Sequence, residues 1–248
     1  MCFTVAIVRN NVVEVASKYY DRLPIVPHRR KDVPEFPDYH FVGAFVHPAL
    51  PILKSDGVHL YNWGLIPSWT KDSAAANDIR TKTLNAMGET VFEKASFRNS
   101  IVSQRCILPI SGFYEWQDVK GVKYPYYIYP SDGECFSVGA IYNSWTDSNN
   151  GITYNTFSML TTVANPLMEE IHNLKKRMPL ILSLENGLKW IDPTLPAPQI
   201  KDLIRPYDEN GMKAHTISRK ANNTRNNNNV QEIKEKVFYS ELNMGTLF

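Results

Sequence analysis

Apolar positions along this chain alternate in short runs more often than they recur at helical spacing, and the runs concentrate between residues 106 and 163. There, residues 106–109, 112–119, 124–129, 136–145 and 154–163 read as strands. Turns at Lys120-Gly121 and Asn149-Asn150-Gly151 separate them. Earlier in the chain, 3–8 is a short buried strand, and 40–47 and 51–63 alternate as strands around a Ser55-Asp56-Gly57 turn. Helical spacing shows at Val12, Val15, Ala16, Tyr19, Tyr20 and Leu23, which predicts an amphipathic helix over 11–23. Short helices are expected within 89–104 and at 166–172, 185–191 and 197–204. Strands are expected at 180–184 and 212–218. Residues 24–39 and 68–88 read as irregular, and the Asn-rich run 222–229 as loop. The pattern predicts an α+β fold with an antiparallel, barrel-like β core and short peripheral helices. It forms a single domain over 2–235, with a C-terminal extension over 236–248.

Composition narrows the function classes. Three cysteines, Cys2, Cys106 and Cys135, with no close pair, argue against a disulfide framework and a zinc site, so no metal or other cofactor is expected. No apolar run approaches the ~20 residues that span a bilayer, and no secretory segment opens the chain. The expectation is a soluble, cytoplasmic monomer without a membrane partner. Net charge is only +2, yet cations cluster at His28-Arg29-Arg30-Lys31, Arg80 to Lys82, Arg98 to Arg105, Lys175-Lys176-Arg177 and Arg219-Lys220 with Arg225. Interleaved with Trp and Tyr, such clusters suit a groove for a single nucleic-acid strand. Taken singly, each is an ordinary solvated face.

Cys2 adds chemistry. A small residue behind Met1 permits removal of the methionine, which would leave a free α-amine beside a thiol. Their reference pKa values, about 8 and 8.5, make both nucleophiles partly available near neutrality. Such a pair condenses with an aldehyde to an imine and then a thiazolidine, or the amine serves as the thiol's base. Taken alone, the ordinary reading is a free cysteine on a frayed chain end.

Four segments place polar residues in apolar surroundings: Met1-Cys2; Trp63 to Trp69, followed by Leu84-Asn85-Ala86; Ser111-Gly112-Phe113-Tyr114-Glu115-Trp116; and Ile171-His172 leading to Arg177-Met178-Pro179. In order and spacing they resemble the SRAP family, the SOS response-associated peptidases or abasic-site processing proteins, from residue 2 to about 230. The resemblance implies a protein that recognises abasic sites in single-stranded DNA and links to them covalently through Cys2. It implies catalytic roles for Cys2, Asn85, Glu115 and His172. Glu115, among aromatic residues, is expected to have a raised pKa and to shuttle protons. His172, with an ordinary pKa near 6.5, would act on the sugar, and Asn85 would hold the amine or the sugar without titrating.

DNA contacts are implied at Trp69, Arg98, Thr161 and Arg177, with core packing the alternative for the tryptophan and a solvated surface for the arginines. Three departures stand out. Cys2 is followed by Phe3-Thr4 where the family usually has Gly-Arg. Met87 replaces an arginine, leaving Arg80 or Lys82 as the substitute cation. The spacing from His172 to Arg177 is longer than the family's commonest. Two other functions stay open: a thiol peptidase limited to self-processing, and a non-catalytic single-strand binder.

Overall fold

The computed structural model describes residues 2–23, 32–223 and 227–243. The basic cluster at 28–31, Arg225 and part of the Asn-rich run lie outside the described residues. The chain opens with β1 (Thr4–Ile7) and α1 (Arg9–Tyr20), which buries Val12, Val15, Ala16, Tyr19 and Tyr20, the face expected from their spacing. β2 (Tyr39–Gly43) stops earlier than expected, because a 3₁₀ turn at Ala44–Val46 and a left-handed His47 (φ 50°) bend the chain away. β3 (Ala49–Lys54) and β4 (Gly57–Trp63) follow as a hairpin.

The segment expected to be irregular contains α2 (Ser73–Lys82) and β5 (Asn85–Met87). The Asp72 carboxylate caps α2 by accepting from the Ala75 N–H at 2.8 Å. Only Ala76 of this helix is buried, so the segment carries no apolar stripe. α3 (Arg98–Ser103), β6 (Arg105–Ile110), β7 (Gly112–Val119), β8 (Val122–Pro130), β9 (Phe136–Thr146) and β10 (Thr153–Val163) come next. α4 (Pro166–Ile171), β11 (Arg177–Pro179), β12 (Ile181–Leu182), α5 (Leu184–Ile191), α6 (Ala197–Leu203), β13 (Met212–Thr216) and α7 (Ser240–Asn243) complete the fold.

Two sheets form. β13, β8, β7, β1 and β2 make an open five-stranded sheet. In the other, β3, β4, β10, β9 and β6 pair in a closed ring, a five-stranded barrel around which β5, β11 and β12 attach. The barrel-like expectation holds, with one correction: β4 and β5 each pair with β10 in parallel. A ring with an odd number of strands cannot alternate direction all the way round, so closure at five requires at least one parallel pair. Leu50, Ile52, Ile107, Val138, Phe157 and Met159 are buried in this part of the core, with Trp63 stacked on Phe157 at 5.9 Å.

The chain crosses between the sheets at Ser111-Gly112. Ser111 donates its N–H to Ala6 O (2.8 Å) and accepts the Val8 N–H on its hydroxyl (3.2 Å). A Cβ at residue 112 would lie 2.5 Å from Ile128 O, so only glycine fits this corner. Beyond the family-like part, residues 237–239 dock on β13. Val237 donates to Thr216 O (2.8 Å), and the Tyr239 hydroxyl donates to Ile217 O (2.8 Å). Among the described residues no helix is long and apolar enough to cross a membrane.

Candidate functional site

Strand register sets Glu115. Side chains alternate across β7, so Phe113 and Glu115 share one face while Tyr114 and Trp116 share the other. Tyr114 and Trp116 pack with Ala6, Tyr127 and Ile217, a separate cluster. Glu115 instead turns to the side of the main core that holds Phe113 and Cys2. Tyr114 and Trp116 therefore do not surround it; Phe113 and the packing of the two sheets do.

Cys2 is held just ahead of β1, whose Val5 pairs with Phe113 of β7. Phe3 O accepts the Ala44 N–H (2.8 Å), and the Phe3 ring packs on Phe45 at 5.1 Å. The terminus is thus not frayed at residue 2: Cys2 is fully buried. Its thiol donates a long contact to Thr4 O (3.5 Å), and Asn85 Nδ2 donates to Cys2 O at 2.8 Å. Asn85 opens β5, which lies along β10 with Asn85 opposite Met159. Met159, the last residue of β10 to pair with β9, therefore positions the amide.

His172 caps α4, and β7 ties that helix end down. Gln117 Nε2 donates to Glu170 O (3.2 Å), and the Asn173 side chain clamps Asp118, accepting its N–H (3.0 Å) and donating to its carbonyl (2.8 Å). The imidazole Nδ1 lies 2.9 Å from Arg177 O. A carbonyl only accepts, so Nδ1 carries the proton and Nε2 is the basic nitrogen. Glu115 Oε1 is 3.7 Å from His172 Nδ1, too far for a hydrogen bond.

Burial dominates the electrostatics. It pushes the Glu115 carboxyl up to about 7 and the His172 imidazole down to about 4. Burial, reinforced by the nearby Glu115 charge, drives the Cys2 thiol far above its ordinary value. At neutral pH the imidazole is therefore neutral, and its contact with Glu115 is not an ion pair. Desolvation takes the imidazole below its ordinary value of 6.5. Glu115 Oε1 and Asn85 Oδ1 are both buried without a hydrogen-bond partner. An orphaned buried acceptor costs about 1–3 kcal/mol, which a fold tolerates where a reacting group is to be received.

Cys2, Asn85, Glu115 and His172 thus converge. The five residues expected to contact DNA do not share one setting. Trp69 is 52% exposed, its Nε1 donating to Ala95 O (3.1 Å), and Arg98 is exposed three residues further along that segment. Arg80 is half-buried beside Tyr154 and Ser73, its Nε buried without a partner, while Lys82 pairs with Asp78 at 2.7 Å. Thr161 and Arg177 are buried and turned on each other. Arg177 Nη2 donates to Thr161 O (2.7 Å) and Oγ1 (3.0 Å), and Nη1 to Glu89 Oε1 (2.7 Å). Instead of presenting a free cation, Arg177 is committed to an internal network, and Glu89 is the partner that the residue pattern did not single out. Asn173 was missed as well; an asparagine two-point clamp leaves no mark on sequence periodicity.

The chain is similar to known proteins. The model of the SOS response associated peptidase (SRAP) family matches residues 1–224. The abasic site processing protein YoqW of Bacillus subtilis (strain 168) is 40% identical over 168 residues, 66% of this chain and 71% of that protein. The abasic site processing protein HMCES of Xenopus tropicalis is 31% identical over 185 residues, 66% of this chain and 53% of that protein. A crystal structure of a protein from Bacteroides thetaiotaomicron superposes with a TM-score of 0.83 at 37% identity, covering 96% of this chain and all of that one. With the fold, the sheet-crossing motif and the match over nearly its whole length in agreement, this chain belongs to the SRAP family.

Proposed function

We propose that this protein processes abasic sites in single-stranded DNA by capturing them as a thiazolidine on Cys2 once Met1 has been removed. The observation that carries the reading is the buried convergence of the Cys2 thiol with an underbonded acid, a neutral imidazole and an amide that grips the Cys2 carbonyl. The similarity to proteins named for abasic-site processing supports the same substrate.

The steps balance without an external oxidant or cofactor. Hydrolysis of the Met1–Cys2 bond consumes one water and frees the α-amine. His172 Nε2 takes the hydroxyl proton as the ring C–O bond breaks and delivers it to the ring oxygen, leaving the open aldehyde and a free hydroxyl. The amine attacks the aldehyde carbon, and loss of one water leaves an imine. Glu115, titrating near 7, gives the proton to the departing hydroxyl and regains one from the amine. The S–H then adds across C=N, sulfur to carbon and proton to nitrogen. Because burial keeps the thiol protonated, it needs a neighbouring base to react, and Glu115 is the carboxylate that its titration feels. Asn85, bonded to Cys2 O, holds amine and sulfur in a fixed relation to that acid. Exposed Trp69 and Arg98 supply a ring for base stacking and a cation for phosphate.

The test is a denaturing gel of Met1-free protein with single-stranded DNA carrying an abasic site. A heat-stable adduct is expected with that DNA and not with intact DNA. Cys2→Ala, and protein retaining Met1, should give none. An adduct of undiminished yield from Cys2→Ala overturns the reading; binding that ignores the abasic site and forms no adduct favours a non-catalytic binder.

A further inference from the structure

The four residues between His172 and Arg177, longer than the family-like spacing, form a closed and anchored turn. His172 O accepts the N–H of Lys175 (3.2 Å) and of Lys176 (2.8 Å), and Lys176 takes a left-handed φ of 49°. The Asn173 clamp on Asp118 holds its base. At the tip Leu174 is 66% exposed. The cations around it differ: Lys176 pairs with Glu169 (3.7 Å) and Lys123 with Asp118 (3.0 Å), while Lys175 makes no ion pair among the described residues.

Strand register brings two more exposed apolar side chains to this edge. Met87 of β5 pairs with Thr161 of β10, and Val163, two residues on, pairs with Arg177 of β11. Ala164 donates its N–H to Lys176 O (3.1 Å), closing β10 onto the turn. Met87, Val163 and Leu174 come from three separate elements, are 41%, 49% and 66% exposed, and border the residues that hold His172. A turn this firmly held keeps its leucine in water in the free protein.

We propose that Leu174, with Met87 and Val163, forms an apolar ledge for a nucleobase next to the reacting sugar, and that Lys175 takes the adjoining backbone phosphate. The proposal rests on the DNA reading above. A single strand is the occupant because it offers a flat apolar face and an anionic group on neighbouring atoms, matching a leucine beside an unpaired lysine.

The experiment measures equilibrium binding of a fluorescent single-stranded oligonucleotide without an abasic site, over a range of salt, to Cys2→Ala protein and to the same protein carrying Leu174→Ser or Lys175→Gln. Leu174→Ser should weaken binding about tenfold, the scale of losing the burial of one apolar side chain. Lys175→Gln should flatten the plot of log affinity against log salt by about 0.7, one phosphate contact on a single strand. Unchanged affinity and slope in both variants overturn the ledge. So does a Leu174→Ser effect confined to self-association in sedimentation, which would assign the surface to a second copy of the chain. Adduct formation by the Cys2-containing parent, run alongside, reports on the capture reading alone, so the two failures are told apart.

Discussion

Glu115 and Glu89 are two carboxylates tied to the same histidine by different routes, Glu115 lying 3.7 Å from it and Glu89 acting through Arg177, and they are handled in opposite ways. Glu89 is part-exposed and paired: Arg177 donates to it at 2.7 Å and holds its carboxyl below the ordinary range against the effect of burial. Glu115 is buried with an orphaned oxygen, and burial raises it to about 7. One network is satisfied and holds the backbone at Arg177, whose carbonyl fixes the His172 tautomer. The other is left underbonded beside the thiol. Structural stability and chemical readiness are thus assigned to separate groups, joined through His172.

Substituting Glu115 should break the contrast most. Its folded pKa, about 7, lies above the ordinary 4.5, so the folded chain holds this proton more tightly than the unfolded chain. The stability tied to that proton is complete below about pH 4.5 and is lost as pH rises through about 7. Glu115→Gln escapes that loss and should be more stable than the parent by about 3 kcal/mol at about pH 8, and equal to it near pH 4. Adduct formation should meanwhile fall by about 10²–10⁴, the usual worth of a positioned acid–base group. Denaturant titrations at the two pH values, with adduct kinetics, check both halves.

On the satisfied side, Arg177→Met should destabilise the fold by about 3 kcal/mol, since Thr161 and Glu89 lose their partner. The loss should be visible in urea melts at neutral pH. Glu89→Gln should matter least, costing less than about 1 kcal/mol, because its side chain is 41% exposed and water can replace the lost charge. A Glu89→Gln loss as large as that of Arg177→Met would mean that the two carboxylates are not treated differently after all.

Much of the frame was legible in the residues. The α1 stripe from Val12 to Tyr20 and the β7–β8 hairpin with its Lys120-Gly121 turn follow from periodicity and turn chemistry. What escaped lacks a local signal. α2 turns nearly all its residues to solvent, and β5 is three residues whose strand character exists only against β10. The parallel closure of β4 on β10 belongs to the whole ring and to neither strand. At the site, the family-like motifs marked Cys2, Asn85, Glu115 and His172, and their convergence depends on sheet packing that no motif encodes. The lowered pKa of His172 is set by burial, and the inward commitment of Arg177 by Glu89 and Thr161, partners distant in sequence.

The most direct test of the central claim is intact-mass analysis of the product formed by Met1-free protein and an abasic oligonucleotide, followed by peptide mapping. The mass should equal protein plus DNA less one water, with the modification on residue 2 and no free thiol remaining there. A product attached to any other residue, or the same product formed by protein that still carries Met1, would contradict the account.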